Sequence, residues 1–187
     1  MNEIIPEIVQ RRARRALSYR PIAAEVVDRL LRAAVLAPSC SNNQPWRFIV
    51  VSEGPRLESL KEALSRGNAW ARRSPCIVAA VTQLEYDCRF SDRRDYALFG
   101  VGLAVANLIL QGTREGLYAH PIAGYTPEVV KQVLSIPPEA IVVTLVILGY
   151  PGDEAELSEK QRITEHQERV RKPFEEVVMY QGWEGKR

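Results

Sequence analysis

The sequence predicts a mixed α+β fold in which amphipathic helices cover a sheet of buried strands. Three observations carry that prediction. Residues 24–36 place Val26, Val27, Leu30, Leu31, Ala34 and Val35 at helical spacing, with Glu25, Asp28, Arg29 and Arg32 between them. Two runs, 76–82 and 141–148, are almost continuously apolar over strand length, the pattern of strands covered on both faces. Turn residues such as Gly54-Pro55, Gly67-Asn68 and Pro137-Pro138 separate the periodic segments. The 187 residues fall within the ~100–200 expected of one domain, and a 46% hydrophobic content supplies a core. Residues 1–187 therefore read as one domain, with a C-terminal arm over about 170–187.

In chain order, Pro38 closes the first long helix and residues 47–52 form a strand. After Gly54 and Pro55 comes a helix with Leu57, Leu60 and Leu64 on one side, stopped by Gly67 and Asn68. The strand 76–82 leads through a link rich in Arg and Asp to residues 96–113, which carry no charge. Gly100, Gly102, Asn107 and Gln111 interrupt that stretch, so it reads as a helix buried in protein rather than a membrane span. A helix needing cover on every side is a hint of a dimer. Thr126 is the expected N-cap of a further helix, with Pro127 at its first position and Val129, Val130, Val133 and Leu134 on its inner face. The run 141–148 should lie mid-sheet. Residues 152–169 are strongly charged and read as a solvated helix or loop, and 174–180 return to strand character. A final strand after a polar arm suggests docking at a distance.

Composition narrows the function classes. A net charge of +2 does not by itself imply a nucleic-acid or membrane partner. The cysteines Cys40, Cys76 and Cys88 include no close pair, so neither a disulfide framework nor a zinc cluster is expected, and a reducing compartment fits. The N-terminus lacks the apolar core of a signal peptide, which makes the cytoplasm the default location. Two histidines without clustered carboxylates speak against a metal enzyme.

Two constellations carry chemistry. Arg11, Arg12, Arg14 and Arg15 stand just ahead of the first long helix. Guanidinium forks suit a phosphate dianion, whereas a nucleic-acid patch would be expected to have interleaved aromatics, and a merely solvated basic face is the plain alternative. The second is the loop Ala37-Pro38-Ser39-Cys40-Ser41-Asn42-Asn43-Gln44-Pro45-Trp46, whose hydroxyls and amides suit a ligand, although turn formation alone would also select them.

This loop, following the arginine-rich start, resembles the nitroreductase family of FMN enzymes. The likeness continues through Gly67-Asn68-Ala69-Trp70, Ser74-Pro75, residues 102–108, Gly116-Leu117, His120-Pro121-Ile122-Ala123-Gly124-Tyr125 and Arg169-Val170-Arg171-Lys172-Pro173. It implies a sandwich with a mostly antiparallel central sheet flanked by helices, in an intertwined homodimer whose FMN sites are each built from both chains. By the same resemblance Arg11, Arg12 and Ala13 lie at the flavin phosphate and ribityl chain, and Arg15 near the pyrimidine edge. There a cation would favour the reduced flavin's negative charge. Ala13 departs from the family's usual Ser and offers no hydroxyl. Pro38, Ser39 and Ser41 would reach FMN from the opposite subunit, Asn68 would hydrogen-bond the ring, Ala123 and Gly124 would face N5, and Arg169 and Arg171 would meet the phosphate.

The resemblance further implies electron transfer from NADH or NADPH to a nitroaromatic, quinone or activated alkene by ping-pong turnover, with no catalytic side chain named. Substrate choice would fall to residues 84–94 and the surroundings of Tyr118 and Tyr125. The alternatives are a flavin enzyme for a dedicated metabolite and a non-catalytic FMN storage or sensing protein. Gly100-Val101-Gly102 imitates a dinucleotide fingerprint but sits inside a helix, where it reads as close packing. Cys40 as a nucleophile lacks an orienting third residue, and His120 reads equally as pocket lining or as a structural histidine.

Overall fold

The computed structural model describes residues 3–92 and 94–183. Its helices are α1 (Pro6–Gln10), α2 (Ala24–Val35), α3 (Gly54–Glu62), α4 (Tyr96–Arg114), α5 (Pro127–Leu134), α6 (Glu159–His166) and α7 (Phe174–Val177). Its strands are β1 (Arg47–Val51), β2 (Cys76–Thr82), β3 (Tyr118–Ile122) and β4 (Ile141–Gly149). The strands form one sheet in the order β1-β2-β4-β3, every pairing antiparallel. The fold is thus the expected α+β arrangement, and β4 lies inside the sheet.

Alternation along the two central strands builds the layers. Ile77, Ala79 and Val81 of β2 and Leu145 and Ile147 of β4 join a core with Leu57, Leu60 and Val130 from α3 and α5. Cys76, Val78, Ala80, Val146 and Leu148 join the opposite core with Val27 and Leu30 of α2 and Val101 and Leu108 of α4. Burying a side chain of this size contributes about 1.5–3 kcal/mol relative to exposure. Leu30, Leu60, Ile77, Leu108, Leu145 and Ile147, all fully buried, therefore hold the two helical layers to the sheet. Gly100 of α4 permits a close approach, since a Cβ there would lie 3.0 Å from Pro45 Cγ; Gly102 faces open space and plays no such part. Leu98 and Phe99 on the outer side of α4 remain exposed.

The structure corrects several expectations. Cys40 and Cys88 form a disulfide, leaving Cys76 as the free, buried cysteine. The two are 48 residues apart in sequence, but Arg47 of β1 pairs with Val81 of β2, so the chain entering β1 runs beside the chain leaving β2. Residues 174–180 form no strand: α7 takes Phe174–Val177, and Val178 is extended beyond it. Their β-propensity needs a sheet edge to act on, and sheet formation depends on that context. Thr126 stands at the N-cap of α5 without a side-chain capping bond, and Val129 turns outward while Val130 and Leu134 are buried. The helix after Gly54 ends at Glu62, ahead of Gly67 and Asn68, which belong to a following 3-10 segment, Arg66–Arg73.

Candidate functional site

The arginine-rich segment is pinned between the end of β4 and α6. Ser18 N–H donates to the Tyr150 carbonyl at 2.9 Å and Gly152 N–H to that of Ala16 at 2.9 Å, which lays residues 16–18 beside 150–152. On its other side the segment meets Glu165, a buried carboxylate of α6. Glu165 Oε1 accepts from the Arg15 amide at 2.6 Å, and Oε2 lies 3.4 Å from Arg14 Nη1. Arg14 also donates to the Glu165 carbonyl and Arg12 to that of Gln167. A capping box from Ser158 and Gln161 starts α6 and holds the helix that carries Glu165.

A cavity of about 220 Å³ results, lined by Arg11, Arg12, Ala13, Arg14 and Arg15 from one end of the chain and by Arg169 and Arg171 from the other. Arg169 donates to the carbonyls of Ile8 at 3.3 Å, Val9 at 2.9 Å and Arg11, so it ties the C-terminal stretch to the end of α1. Burial first, then the like charges of Arg169, Arg171 and Arg12, push the Arg11 guanidinium below its ordinary pKa. A site in which cations repel one another is electrostatically suited to an anion, which relieves the repulsion it meets.

From this cavity a chain of contacts leads to Asn68, Ala123 and Gly124. The Arg15 guanidinium lies 5.9 Å from the Trp70 ring, and Trp70 stacks on His120 at 4.7 Å between centroids. Trp70 Nε1 donates to Asn68 Oδ1 at 3.3 Å, and Asn68 Nδ2 donates to the Gly124 carbonyl at 3.0 Å. Ser65 N–H donates to the same carbonyl at 3.0 Å, holding residues 65–68 against the turn after β3 that carries Ala123 and Gly124. Gly124 leaves room for this approach: a Cβ there would sit 2.4 Å from Asn68 Nδ2 and 2.6 Å from Ser65 Oγ, so a larger residue would have to displace both side chains.

Within one chain, then, the arginines, Asn68, Ala123 and Gly124 belong to one connected region, with Trp70, His120 and Glu165 as its supports. Pro38, Ser39 and Ser41 lie elsewhere. Pro38 and Ser39, with Cys40, border a separate apolar hollow formed with Tyr96, Phe99 and Leu103. In sequence Trp70 stands out only as part of a motif, and Glu165 does not stand out at all, because a carboxylate in the polar run Glu159–His166 looks solvated. That residues 8–24 hold five arginines and no acidic residue is the signal in sequence that a distant carboxylate is needed.

His120 is neutral in this setting. Burial is the main cause, and with the positive charges of Arg15 and Arg11 it outweighs the hydrogen bond to Arg14, bringing the imidazole down to about 4. A neutral ring whose Nδ1 lies 3.0 Å from the Arg14 carbonyl must carry its proton on Nδ1 and leave Nε2 bare. The folded pKa lies below the ordinary value of 6.5, so the folded state binds the proton less well than the unfolded chain. Stability from this group is complete above pH 6.5 and is lost as pH falls toward 4. His120→Gln is expected to flatten that acid limb by about 1–3 kcal/mol, the value for a partly buried group. Melting curves of both proteins between pH 7 and 4 test this, and parallel pH profiles would refute it.

Comparison with known proteins supplies the class. The sequence profile of the nitroreductase family matches residues 8–69 and 62–150. A protein of Archaeoglobus fulgidus named as an NADH dehydrogenase/NAD(P)H nitroreductase is 32% identical over 167 residues, 85% of this chain and 91% of its own length. A 5,6-dimethylbenzimidazole synthase of Rhodospirillum rubrum is 29% identical, over 76% of this chain and 79% of its own. Among solved structures, an oxidoreductase described as containing FMN superposes with a TM-score of 0.87 at 26% identity, covering 98% of this chain and 94% of its own. The chain belongs to the nitroreductase family, a family of oxidoreductases.

Proposed function

We propose that this protein is a cytoplasmic FMN-dependent oxidoreductase that passes two electrons from NADH or NADPH to a small organic acceptor. The observation that carries this reading is the arginine cavity, continued by the Trp70–His120 stack to Asn68 and Gly124. One end of the region has the chemistry for a phosphate and the other offers amide and backbone groups for a heterocycle. The solved relative described as containing FMN supports the choice of flavin.

Arg11, Arg12 and Arg171 would hold the phosphate, with the backbone at Ala13 beside them. Arg169 would close the site chiefly by fastening residues 169–171 to α1. Arg15, held over Trp70, would face the ring's electron-rich edge, and Asn68 with the backbone of Ala123 and Gly124 would orient the ring. Bound FMN supplies hydride acceptance and donation. Around it the chain positions the ring, stabilises negative charge through Arg15 and keeps His120 unprotonated. Donor and acceptor would use one site in turn, as ping-pong kinetics require.

A homodimer completes the proposal. Pro38, Ser39 and Ser41 stand away from the arginine cavity of their own chain, so they would serve the site of the opposite subunit. Phe99 on α4 and Phe174, Tyr180 and Trp183 on the arm are exposed and would be covered there. On this reading residues 1–187 form one FMN-binding domain with its arm laid on the partner. The likeness to a dimethylbenzimidazole synthase favours one second reading, a dedicated metabolite as the substrate.

The test is the visible spectrum of the purified protein, identification of the flavin released on denaturation, and titration with NADH and NADPH. Yellow protein carrying one FMN per chain and bleached by either nucleotide is the expected result. Colourless protein that takes up no added FMN would overturn the site.

A further inference from the structure

Cys40 and Cys88 tie two segments together away from the arginine cavity. Cys40 opens the 3-10 turn Cys40–Asn42, and Cys88 lies between β2 and α4, with Cα atoms 6.0 Å apart. Neither cysteine belongs to either apolar core, and both are only half-buried. The bond therefore lies outside the apolar packing of both layers.

Two features oppose the closed form. The loop that it fixes contains three non-glycine residues in the left-handed region, Ser41 at φ 49°, Asn42 at 57° and Gln44 at 51°. Such conformations cost energy and persist only where the surroundings impose them. The second is Asp87, whose side chain is buried beside the bond. Its Oδ1 accepts from the Cys88 amide at 2.8 Å and from Asn43 Nδ2 at 3.2 Å, while Oδ2 is buried and has no hydrogen-bond partner among the described residues. A carboxylate oxygen of Asp87 and both sulfurs lie within 4.8 Å of one another. Opening the bond would create two S–H donors beside an acceptor that has no other donor among the described residues.

We propose that Cys40–Cys88 is a reversible thiol-oxidation site, a latch on residues 39–44 that small dithiols open, with Asp87 as the group that stabilises the opened thiols. In the opening step the thiolate of the dithiol attacks one sulfur and the Cys40–Cys88 bond breaks. The sulfur released takes a proton. The second thiol of the reductant then displaces the other sulfur from the mixed disulfide. The reductant leaves as its own disulfide, and the protein gains two electrons and two protons. Opening frees the loop to leave its left-handed conformations. The consequence for flavin rests on the function proposed above: Ser39 and Ser41 sit on this loop, so the open form should hold FMN less tightly.

The experiment uses the full chain with dithiothreitol as the probe. Alkylation and mass spectrometry after denaturation should find one free cysteine before reduction and three after it. Hydrogen exchange of residues 38–46 should speed up by about tenfold or more on reduction, and the Cys40→Ser/Cys88→Ser protein should match the reduced form. Asp87→Asn should shift the thiol–disulfide equilibrium toward the closed form by about fivefold, the worth of one hydrogen bond. Three free cysteines before any reductant, or unchanged exchange in the loop, would overturn the latch. FMN dissociation constants of the two forms provide a separate arm. Equal values with a loosened loop would overturn the link to flavin, whereas failure of both forms to bind FMN would count against the site itself.

Discussion

The double variant Arg11→Ala/Arg171→Ala is expected to bind FMN at least ~100-fold more weakly and to purify colourless, while its apoprotein melts no lower than the wild type. Each charge-assisted hydrogen bond to a phosphate contributes about 1.5–3 kcal/mol, so losing two weakens binding by about two to four powers of ten. The opposite sign in the apoprotein follows from the repulsion within the cavity. Arg11 is disfavoured by burial and by its neighbours Arg169, Arg171 and Arg12, so its removal relieves the folded state. Among the described residues Arg171 donates only to the exposed carbonyl of Val170, and little structure depends on it. Arg169 would be a poor choice, because its guanidinium holds three carbonyls at the end of α1 and its loss would confuse binding with local unfolding. Isothermal titration with FMN and melting of the apoprotein check the two halves separately. Undiminished affinity would place the phosphate elsewhere, and a large drop in apoprotein melting would make these arginines structural.

The parts of this fold that were legible in sequence are those in which a single local rule decides. Ile141–Gly149 is apolar along most of its length, rich in β-branched residues and of strand length between prolines, which together read as a strand between two others. Tyr118–Ile122 does not read as a strand in sequence, because it carries a histidine and a proline. It pairs with β4 alone, and at an edge a proline costs no ladder bond on the open side. The Cys40–Cys88 pair was hidden for a topological reason, since the register of β1 on β2 closes a 48-residue separation that spacing rules read as too wide. In the site, the arginines and Gly124 were visible as residue types with special chemistry. Their supports were not, because Glu165 and Trp70 act through partners brought near only by the fold.

Glu165→Ala should give the largest loss of stability among single changes at this site, about 2–4 kcal/mol, or roughly 6–12 °C in melting temperature for a chain of this length. The Glu165 side chain is 1% exposed and its partner Arg14 29% exposed, so the pair is shielded on the carboxylate side and partly wetted on the other. Truncation leaves the Arg14 cation without its counter-charge and the Arg15 amide without its 2.6 Å acceptor. Removing one partner of a buried pair costs more than the pair contributes, because the remaining group keeps its desolvation penalty. Glu165→Gln separates the two effects. It keeps an oxygen for the Arg15 N–H but carries no charge for Arg14, and is expected to lose about half as much. Urea unfolding of both variants, with the order Ala below Gln below wild type, supports a carboxylate that clamps the arginine segment to α6. If Gln is as damaging as Ala, the charge pair with Arg14 carries the whole effect. If neither variant loses stability, the arginine cavity is held by the backbone contacts of residues 16–18 alone.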